Sequence, residues 1–297
     1  MTADPMGPAG GGPAVTSVAD AMPRLRRDYP HIFDKPAGRV WAGRGFWLAV
    51  AVYLIFLCWH FGLTPVRLWG GLDELWSIAV TMFPPTAGGH FADLLAALVE
   101  TLAMAFLGTL IACALALPLG FLAARNIIPG WVLTFGLRRL FDGIRGVDQL
   151  IWALVFVRAV GLGPLAGVLA LAVSDTGVLA KLFADSVEAA DRKQMEGVRA
   201  TGANPFLVVR MGVLPQVLPV FLSQALYFFE SNTRSAMILG VVGAGGIGLQ
   251  LAERIKIKQW DQVLFIAIML VVTVALIDML SAFLRRRLLG ETGTARA

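Results

Sequence analysis

Long runs of apolar residues limit most strongly how this chain can fold. A helix needs about 20 predominantly apolar residues to cross a bilayer. Only 15% of the 297 residues are charged and 57% are hydrophobic, whereas a soluble domain carries roughly a quarter charged residues. The sequence therefore predicts an all-α polytopic membrane protein with about six transmembrane helices, at residues 45–63, 91–124, 147–160, 165–183, 216–239 and 262–284.

The second of these runs carries small side chains at every fourth position, namely Gly108, Ala112, Ala116 and Gly120. This spacing places them on one helix face, where a second helix can approach closely. Pro118 lies inside the same run, and the sequence predicts a bend there.

The distribution of Lys and Arg predicts the topology. The formal net charge is +5, and most of the 25 Lys and Arg residues precede the first run, follow the last run, or lie around 125–145 and 181–210. Such residues collect on the cytoplasmic side of membrane proteins. Both termini are therefore predicted to be cytoplasmic, and the basic balance indicates membrane topology, not a nucleic-acid partner.

The same reasoning divides the chain into parts. Residues 1–14 lack the basic start and apolar core of a signal peptide, and they are predicted to be disordered. The predicted parts are a cytoplasmic segment at 1–44, a first transmembrane helix with an extracytoplasmic loop at 45–90, a transmembrane core at 91–287 and a cytoplasmic tail at 288–297. A short interfacial helix is expected in the loop, with Trp69 and Trp76 at headgroup level.

The segment 186–215, between the fourth and fifth runs, has the pattern of an amphipathic helix. At helical spacing, an apolar face holds Val187, Ala190 and Val198, and a polar face gathers Glu188, Arg192, Glu196 and Arg199. An amphipathic helix of this kind can sit in a groove of a partner protein.

A sharp corner is predicted within this segment. Gly202 suits the left-handed position that ends a helix. Asn204 suits an N-cap, and Pro205 suits the first helical position. The segment is therefore predicted to form a helix, a corner and a second helix.

The same residues resemble the "EAA" motif of the permeases of ATP-binding cassette (ABC) importers. Glu196, Gly202, Leu214 and Pro215 fall at the motif's positions, while Gly197 and Val198 replace its two alanines and Gly212 replaces its isoleucine. A literal Glu188-Ala189-Ala190 also occurs, but Gln194 stands where its glycine would be, so it is interpreted as a coincidence.

The resemblance extends to one branch of this family. Residues 229–248, Ala200-Thr201-Gly202-Ala203 and Val160-Gly161-Leu162-Gly163-Pro164 resemble the phosphonate/phosphite type of ABC permease. The glycine run within 229–248 also occurs in methionine-type permeases, so that part alone does not distinguish the two.

The resemblance implies a type I ABC importer permease in the bacterial plasma (inner) membrane. It implies a dimer with a second permease copy or paralogue, two cytoplasmic ATPase subunits and an extracytoplasmic solute-binding protein. ATP and Mg would then be bound by the partner ATPases and no cofactor by this chain. The coupling loop 186–215 would insert into the ATPase and drive alternating access through Glu196, Gly197, Arg199, Ala200, Thr201, Gly202, Ala203, Asn204 and Pro205. A permease for another solute such as methionine, or a secondary transporter, is the alternative.

Polar and glycine residues inside the runs are candidates for the translocation path or gate. Charges within a membrane span are costly and often face a cavity. The candidates are Asp175, Thr176, Glu230, Asn232, Arg234, Gly243, Gly245 and Gly246. Glu230 and Arg234 share a helix face, so a structural ion pair is an equally good interpretation of them.

Several kinds of site are not indicated. Residues 243–248 match G-x-G-x-x-G, but a membrane span precedes them where a dinucleotide site needs a strand. The glycines are expected to allow a bend or close packing where two subunits meet. No Walker A sequence and no catalytic constellation occur, and His31, His60 and His90 do not have metal-ligand spacing. The chain is therefore predicted to be neither an enzyme nor a metalloprotein.

Overall fold

The computed structural model describes residue 27 and residues 37–127 and 130–293, and this part contains helices and no strands. The predicted disorder at 1–14 lies outside the described residues. The chain divides into two compact units, Met1–Trp76 and Ser77–Ala297.

Helices α1 (Ala37–His60) and α2 (Pro65–Thr81) come first in the chain. The first helix begins at Ala37, earlier than the predicted span at 45–63. The expected short helix after it is confirmed as α2, and its Trp69 and Trp76 are both 72% exposed.

Besides π-helical turns at Val209–Val213 and Gly240–Ala244, the larger unit contains nine complete α-helices within its described residues. They are α3 (Phe91–Ala123), α4 (Trp131–Arg145), α5 (Gln149–Val160), α6 (Pro164–Glu188), α7 (Arg192–Ala200), α8 (Pro205–Val208), α9 (Leu214–Leu239), α10 (Gly246–Lys256) and α11 (Trp260–Gly293).

Five stretches are long and apolar enough to cross a membrane, at Gly43–His60, Phe91–Ala123, Pro164–Glu188, Pro205–Ala244 and Trp260–Arg287. They confirm five of the six predicted spans. The predicted third span corresponds to α5, which has only 12 residues because it begins at Gln149, after the N-cap Asp148. At 1.5 Å per residue it is roughly 18 Å long, shorter than the hydrocarbon core of about 30 Å.

Helices α3 and α6 form the centre of the larger unit. The four small residues of α3 are all buried, which confirms the predicted contact face. A Cβ atom added to Gly108 would lie 2.7 Å from Leu171 Cβ, and one added to Gly120 would lie 2.8 Å from Phe183 Cβ. Because both contacts join residues at the same sequence offset, α3 and α6 run parallel and nearly touch along this face.

Helix α9 packs across the same pair. Its Phe221 stacks on Phe183 with ring centroids 4.2 Å apart and meets Phe121 edge-on at 6.2 Å. These aromatics belong to a core cluster that also contains Met195, at the end of the bundle where the segment between α6 and α9 is attached.

Helix α10 has no counterpart in the sequence analysis, which described only the glycine run at 243–248. Its apolar Ile247 and Ala252 are buried. Arg254 is only 9% exposed, because its guanidinium donates hydrogen bonds to the side chains of Gln262 and Gln250.

Candidate functional site: the segment between α6 and α9

The segment between the fourth and fifth predicted spans forms two short helices, as expected, but it does not continue α6. Helix α6 ends at Glu188, and α7 begins at Arg192 after Asp191, whose carboxylate accepts a hydrogen bond from Lys193 N. A single continuous helix from Val187 to Val198 is therefore wrong, although Val187, Ala190 and Val198 all pack against one core cluster, as the predicted apolar face requires. The N-cap propensity of Asp191 is the sequence signal that could have located the break.

The corner at residues 202–205 has the predicted geometry. Gly202 adopts φ = +75°, a conformation that glycine occupies without steric cost. The Asn204 side chain accepts a hydrogen bond from Leu207 N at 2.9 Å, and Pro205 is the first helical residue. Glycine, N-cap and proline thus fix the angle between α7 and α8.

The predicted coupling residues form an accessible surface. Glu196, Gly197, Arg199, Ala200, Thr201, Gly202, Asn204 and Pro205 are exposed, and Ala203 is half-buried. Phe206, which the sequence analysis did not select, is 70% exposed beside them. An exposed aromatic ring next to polar residues is typical of a contact surface for another protein.

The other side of this segment is attached firmly to the bundle. Met195 of α7 is only 6% exposed. The chain between α8 and α9 approaches it closely, since a Cβ on Gly212 would lie 3.2 Å from Met195 Cα. Gln216 accepts a hydrogen bond from Asp191 N at 2.9 Å and donates one to the Gly212 carbonyl at 2.5 Å. Glycine at 212, where the motif has isoleucine, allows this close approach.

Glu188, taken from sequence as a coincidence, joins three elements. Its carboxylate accepts hydrogen bonds from Arg138 of α4 and from the backbone of Arg125 after α3, both at 2.7 Å. Arg138 also forms an ion pair with Asp185 at 3.3 Å and is only 15% exposed. The end of α6, from which this segment departs, is therefore bonded to α4 and to the residues that follow α3.

Among the candidate path residues, Asp175 and Asn232 come together in the bundle interior, each only 1% exposed. Asn232 donates hydrogen bonds to Asp175 and to Thr109, and Gln149 donates one to Asp175 at 3.0 Å. The network connects α3, α5, α6 and α9. Since these side chains satisfy one another, they form a buried structural junction in this conformation.

Thr176 does not join that network. Its hydroxyl donates to the Ala172 carbonyl of its own helix at 2.6 Å.

Glu230 and Arg234 do form the predicted pair, at 3.6 Å. Each also has a partner on α11: Glu230 lies 2.7 Å from Arg285, and Arg234 lies 3.2 Å from Asp278. The four charges join α9 to α11, which favours the structural interpretation that the sequence left open.

The glycine stretch produces a bend between α9 and α10. Gly243, Gly245 and Gly246 have φ of +106°, +82° and +68°. The backbone then returns to α3, where Thr101 accepts a hydrogen bond from Ile247 N at 2.9 Å. The expected bend is confirmed, whereas contact of these glycines with a second subunit remains a prediction.

Comparison with known proteins identifies the family. Residues 116–290 match the sequence profile of the binding-protein-dependent transport system inner membrane component. The chain belongs to this family. It is therefore a multi-pass membrane component of a transport system, and the matched region contains the segment between α6 and α9.

Two relatives of this chain are named for the transport systems to which they belong. The phosphite transport system permease protein PtxC of Stutzerimonas stutzeri is 38% identical over 252 residues, which cover 82% of this chain and 91% of that protein. The phosphate-import permease protein PhnE of Mycolicibacterium smegmatis is 40% identical over 226 residues, which cover 76% of this chain and 42% of that protein.

The fold is shared with a solved transporter. The structure "Inward facing conformations of the MetNI methionine ABC transporter" matches with a TM-score of 0.61 at 23% identity, covering 68% of this chain and 99% of that chain. This likeness concerns the fold, which is that of a type I ABC importer permease.

Proposed function

We propose that this permease moves phosphite, phosphonate or a related phosphorus oxyanion into the cytoplasm by alternating access. The observation that carries the proposal is the similarity to the phosphite transport system permease of S. stutzeri across 91% of that protein. Because the match extends over 91% of that protein, the similarity is not limited to one shared motif.

The energy source is assigned to a partner. Two ATPase subunits bind ATP and Mg and dock on the exposed surface formed by α7, the corner and α8. A second permease copy or paralogue completes the membrane-spanning part, and an extracytoplasmic solute-binding protein delivers the solute. The accessibility of Glu196 and Phe206, together with the firm attachment of Met195 to the bundle, supports this role.

Both termini are proposed to be cytoplasmic, in the plasma (inner) membrane. The basic residues Arg285, Arg286 and Arg287 near the end of α11 support this orientation, because Arg collects on the cytoplasmic side.

Substrate competition in cells tests the solute class. Cells that express this chain with its ATPase and binding protein are given radiolabelled methylphosphonate, with unlabelled phosphite or methionine in excess. The expected result is uptake that phosphite suppresses and methionine does not. Suppression by methionine alone, with no uptake of the phosphonate, contradicts the proposed solute class.

A further inference from the structure

A cavity of about 510 Å³ lies between α6 and α9, at the end of the bundle that carries the α7–α8 segment. Helices α4 and α11 close its sides through Arg145 and Arg285. None of the predicted coupling or path residues lines this cavity, although the path candidate Glu230 is bonded to the lining residue Arg285.

Three cationic side chains from three different helices converge on the cavity: Arg145 of α4, Lys181 of α6 and Arg285 of α11. Asp185 is the one carboxylate among the lining residues, and it is 3.3 Å from Arg138, which does not line the cavity. Arg138 also pairs with Glu188 at 2.7 Å, so it does not neutralise Asp185 alone. Three lining cations against one lining carboxylate still leave an excess of positive charge.

Two of these cations have a carboxylate partner behind them. Lys181 lies 2.6 Å from Asp142, and Arg285 lies 2.7 Å from Glu230. The hydrogen bond from Lys181 lowers the pKa of Asp142, which favours the ionised carboxylate. Each partner uses one donor, whereas an ammonium has three donors and a guanidinium five. Both cations therefore retain donors for a ligand.

Arg145 has no carboxylate partner at hydrogen-bond or ion-pair distance among the described residues. Its side chain makes no hydrogen bond and no ion pair within the described part of the chain, although its charge acts at longer range to lower the pKa of Asp142. Its guanidinium therefore keeps its donors available, in a planar set that suits an oxyanion.

Neutral polar groups complete the lining. Ser223, Gln224 and Tyr227 of α9 line the cavity together with these cations. The amide oxygen of Gln224 is buried without a hydrogen-bond partner among the described residues. This oxygen is an acceptor, so it suits a ligand hydroxyl, whereas only the amide NH2 of Gln224 can donate to an oxyanion.

We propose that this cavity binds a phosphorus oxyanion through Arg145, Lys181 and Arg285. A tetrahedral phosphorus group presents several oxygens in different directions, and each accepts charge-assisted hydrogen bonds from a separate cation. The ligand is either a free phosphite-type solute or the phosphate of a lipid head group, since basic pockets between membrane helices also bind anionic lipids. The interpretation as a solute site rests on the proposed transport function, whereas the interpretation as a lipid site does not.

The test uses the full chain in an uncharged detergent. Inorganic phosphite is titrated by calorimetry, with chloride as the anion control. In a second arm, native mass spectrometry counts the phosphatidylglycerol molecules retained after the chain is exchanged into mixed phosphatidylglycerol and phosphatidylcholine micelles. Binding of phosphite identifies a solute site, and retention of phosphatidylglycerol identifies a lipid site.

Matched variants localise the ligand. Arg145→Gln and Lys181→Gln are each expected to weaken binding about tenfold or more, because each removes charge-assisted hydrogen bonds. Arg139→Gln is the control: Arg139 is on the same helix as Arg145 and pairs with Asp142, but it does not line the cavity. This control is expected to bind as the wild type does. Two separate cavity variants keep the test decisive if one of them does not fold.

Two results would overturn the proposal: no binding of either ligand by the wild type, or an equal loss in Arg139→Gln and the cavity variants. The second result would show that binding depends on the general surface charge of the chain and not on this cavity. Failure of this site is distinguishable from failure of the transport function. If phosphonate uptake persists while the cavity variants bind normally, only the site is wrong. If the chain imports methionine alone but retains lipid at Arg145, only the transport assignment is wrong.

Discussion

At the residue scale, the side chains of the proposed ATPase contact and of the buried junction differ in exposure and in bonding. Glu196 is exposed on α7 and forms no ion pair with any described residue. Asp175 is buried and is held by amide donors from two other helices. Changes at Glu196 should therefore affect coupling alone, whereas changes at Asp175 should affect the stability of the bundle.

Reversing the charge at Glu196 tests the coupling surface. Glu196→Arg is expected to reduce ATP-driven uptake about tenfold or more, because like charges opposed at an interface cost several kcal/mol. The melting temperature in detergent should stay at the wild-type value. Glu253→Arg, at an exposed position of α10, is the matched control and should transport normally. Undiminished uptake in Glu196→Arg would refute the assigned role.

Replacing Asp175 tests the buried junction. Asp175→Leu leaves Asn232 and Gln149 without their acceptor and should cost about 1–3 kcal/mol for each unsatisfied group. The expected observation is a clearly lower melting temperature, with Asp175→Asn closer to the wild type because it keeps an acceptor oxygen. If Asp175→Asn melts normally but transports nothing, Asp175 belongs to the path and the structural interpretation is wrong.

At the scale of helices, close packing of α3 on α6 and the ion pair between α4 and α6 hold the bundle together. The first contact depends on the absence of side chains at Gly108 and Gly120. The second joins the end of α6, from which the α7 segment departs, to α4 through Glu188 and Arg138.

Adding one methyl group to α3 tests the helix packing. Gly108→Ala places a Cβ 2.7 Å from Leu171 Cβ, and overpacking of this kind costs typically about 1–3 kcal/mol. Gly136→Ala is the control, since Gly136 is also helical but has nothing within 4 Å of the added Cβ. That control should be neutral or stabilising, because alanine is favoured in helices by about 0.5–1 kcal/mol. Equal melting temperatures for the two variants would contradict the close contact of α3 and α6.

A double-mutant cycle tests the link between α4 and α6. Glu188→Gln, Arg138→Gln and the double variant are compared by thermal unfolding. The coupling energy is expected within about 0.5–3 kcal/mol, as for partly buried residues in direct contact. The pair of the exposed Arg139 with the half-buried Asp142 is the control, and because Asp142 keeps its bond to Lys181, the expected coupling is only about 0.2–1 kcal/mol. A coupling at Glu188–Arg138 no larger than in the control would exclude this pair as a mechanical link.

Elements set by local chemistry were predictable from the sequence. Hydropathy located the long spans, and Gly202, Asn204 and Pro205 determined the corner because their backbone preferences act within a few residues. The small residues of α3 indicated its contact face.

Features that depend on contacts between distant residues were not predictable. Helix α10 is stabilised by burial of Ile247 against other helices, and the role of Glu188 depends on Arg138, which is far away in sequence. The break after α6 is different, since Asp191 carried a local signal that the longer hydrophobic pattern obscured.

At the scale of the whole molecule, the fold explains how a membrane bundle could respond to a soluble partner. The α7–α8 segment is exposed on one side and anchored through Met195 and Gln216 on the other. Its neighbour Glu188 connects to α3 and α4. If a partner moved this segment, these are the contacts through which α3, α4 and α9 would be displaced.

ATP-driven uptake by reconstituted vesicles tests the central claim most directly. Proteoliposomes containing this chain, its ATPase and its binding protein are supplied with radiolabelled methylphosphonate, with or without enclosed ATP and Mg. The account predicts accumulation only in vesicles that enclose ATP and Mg, and none when the ATPase is omitted. Equal accumulation without ATP, driven by an imposed ion gradient, would contradict it and would indicate a secondary transporter.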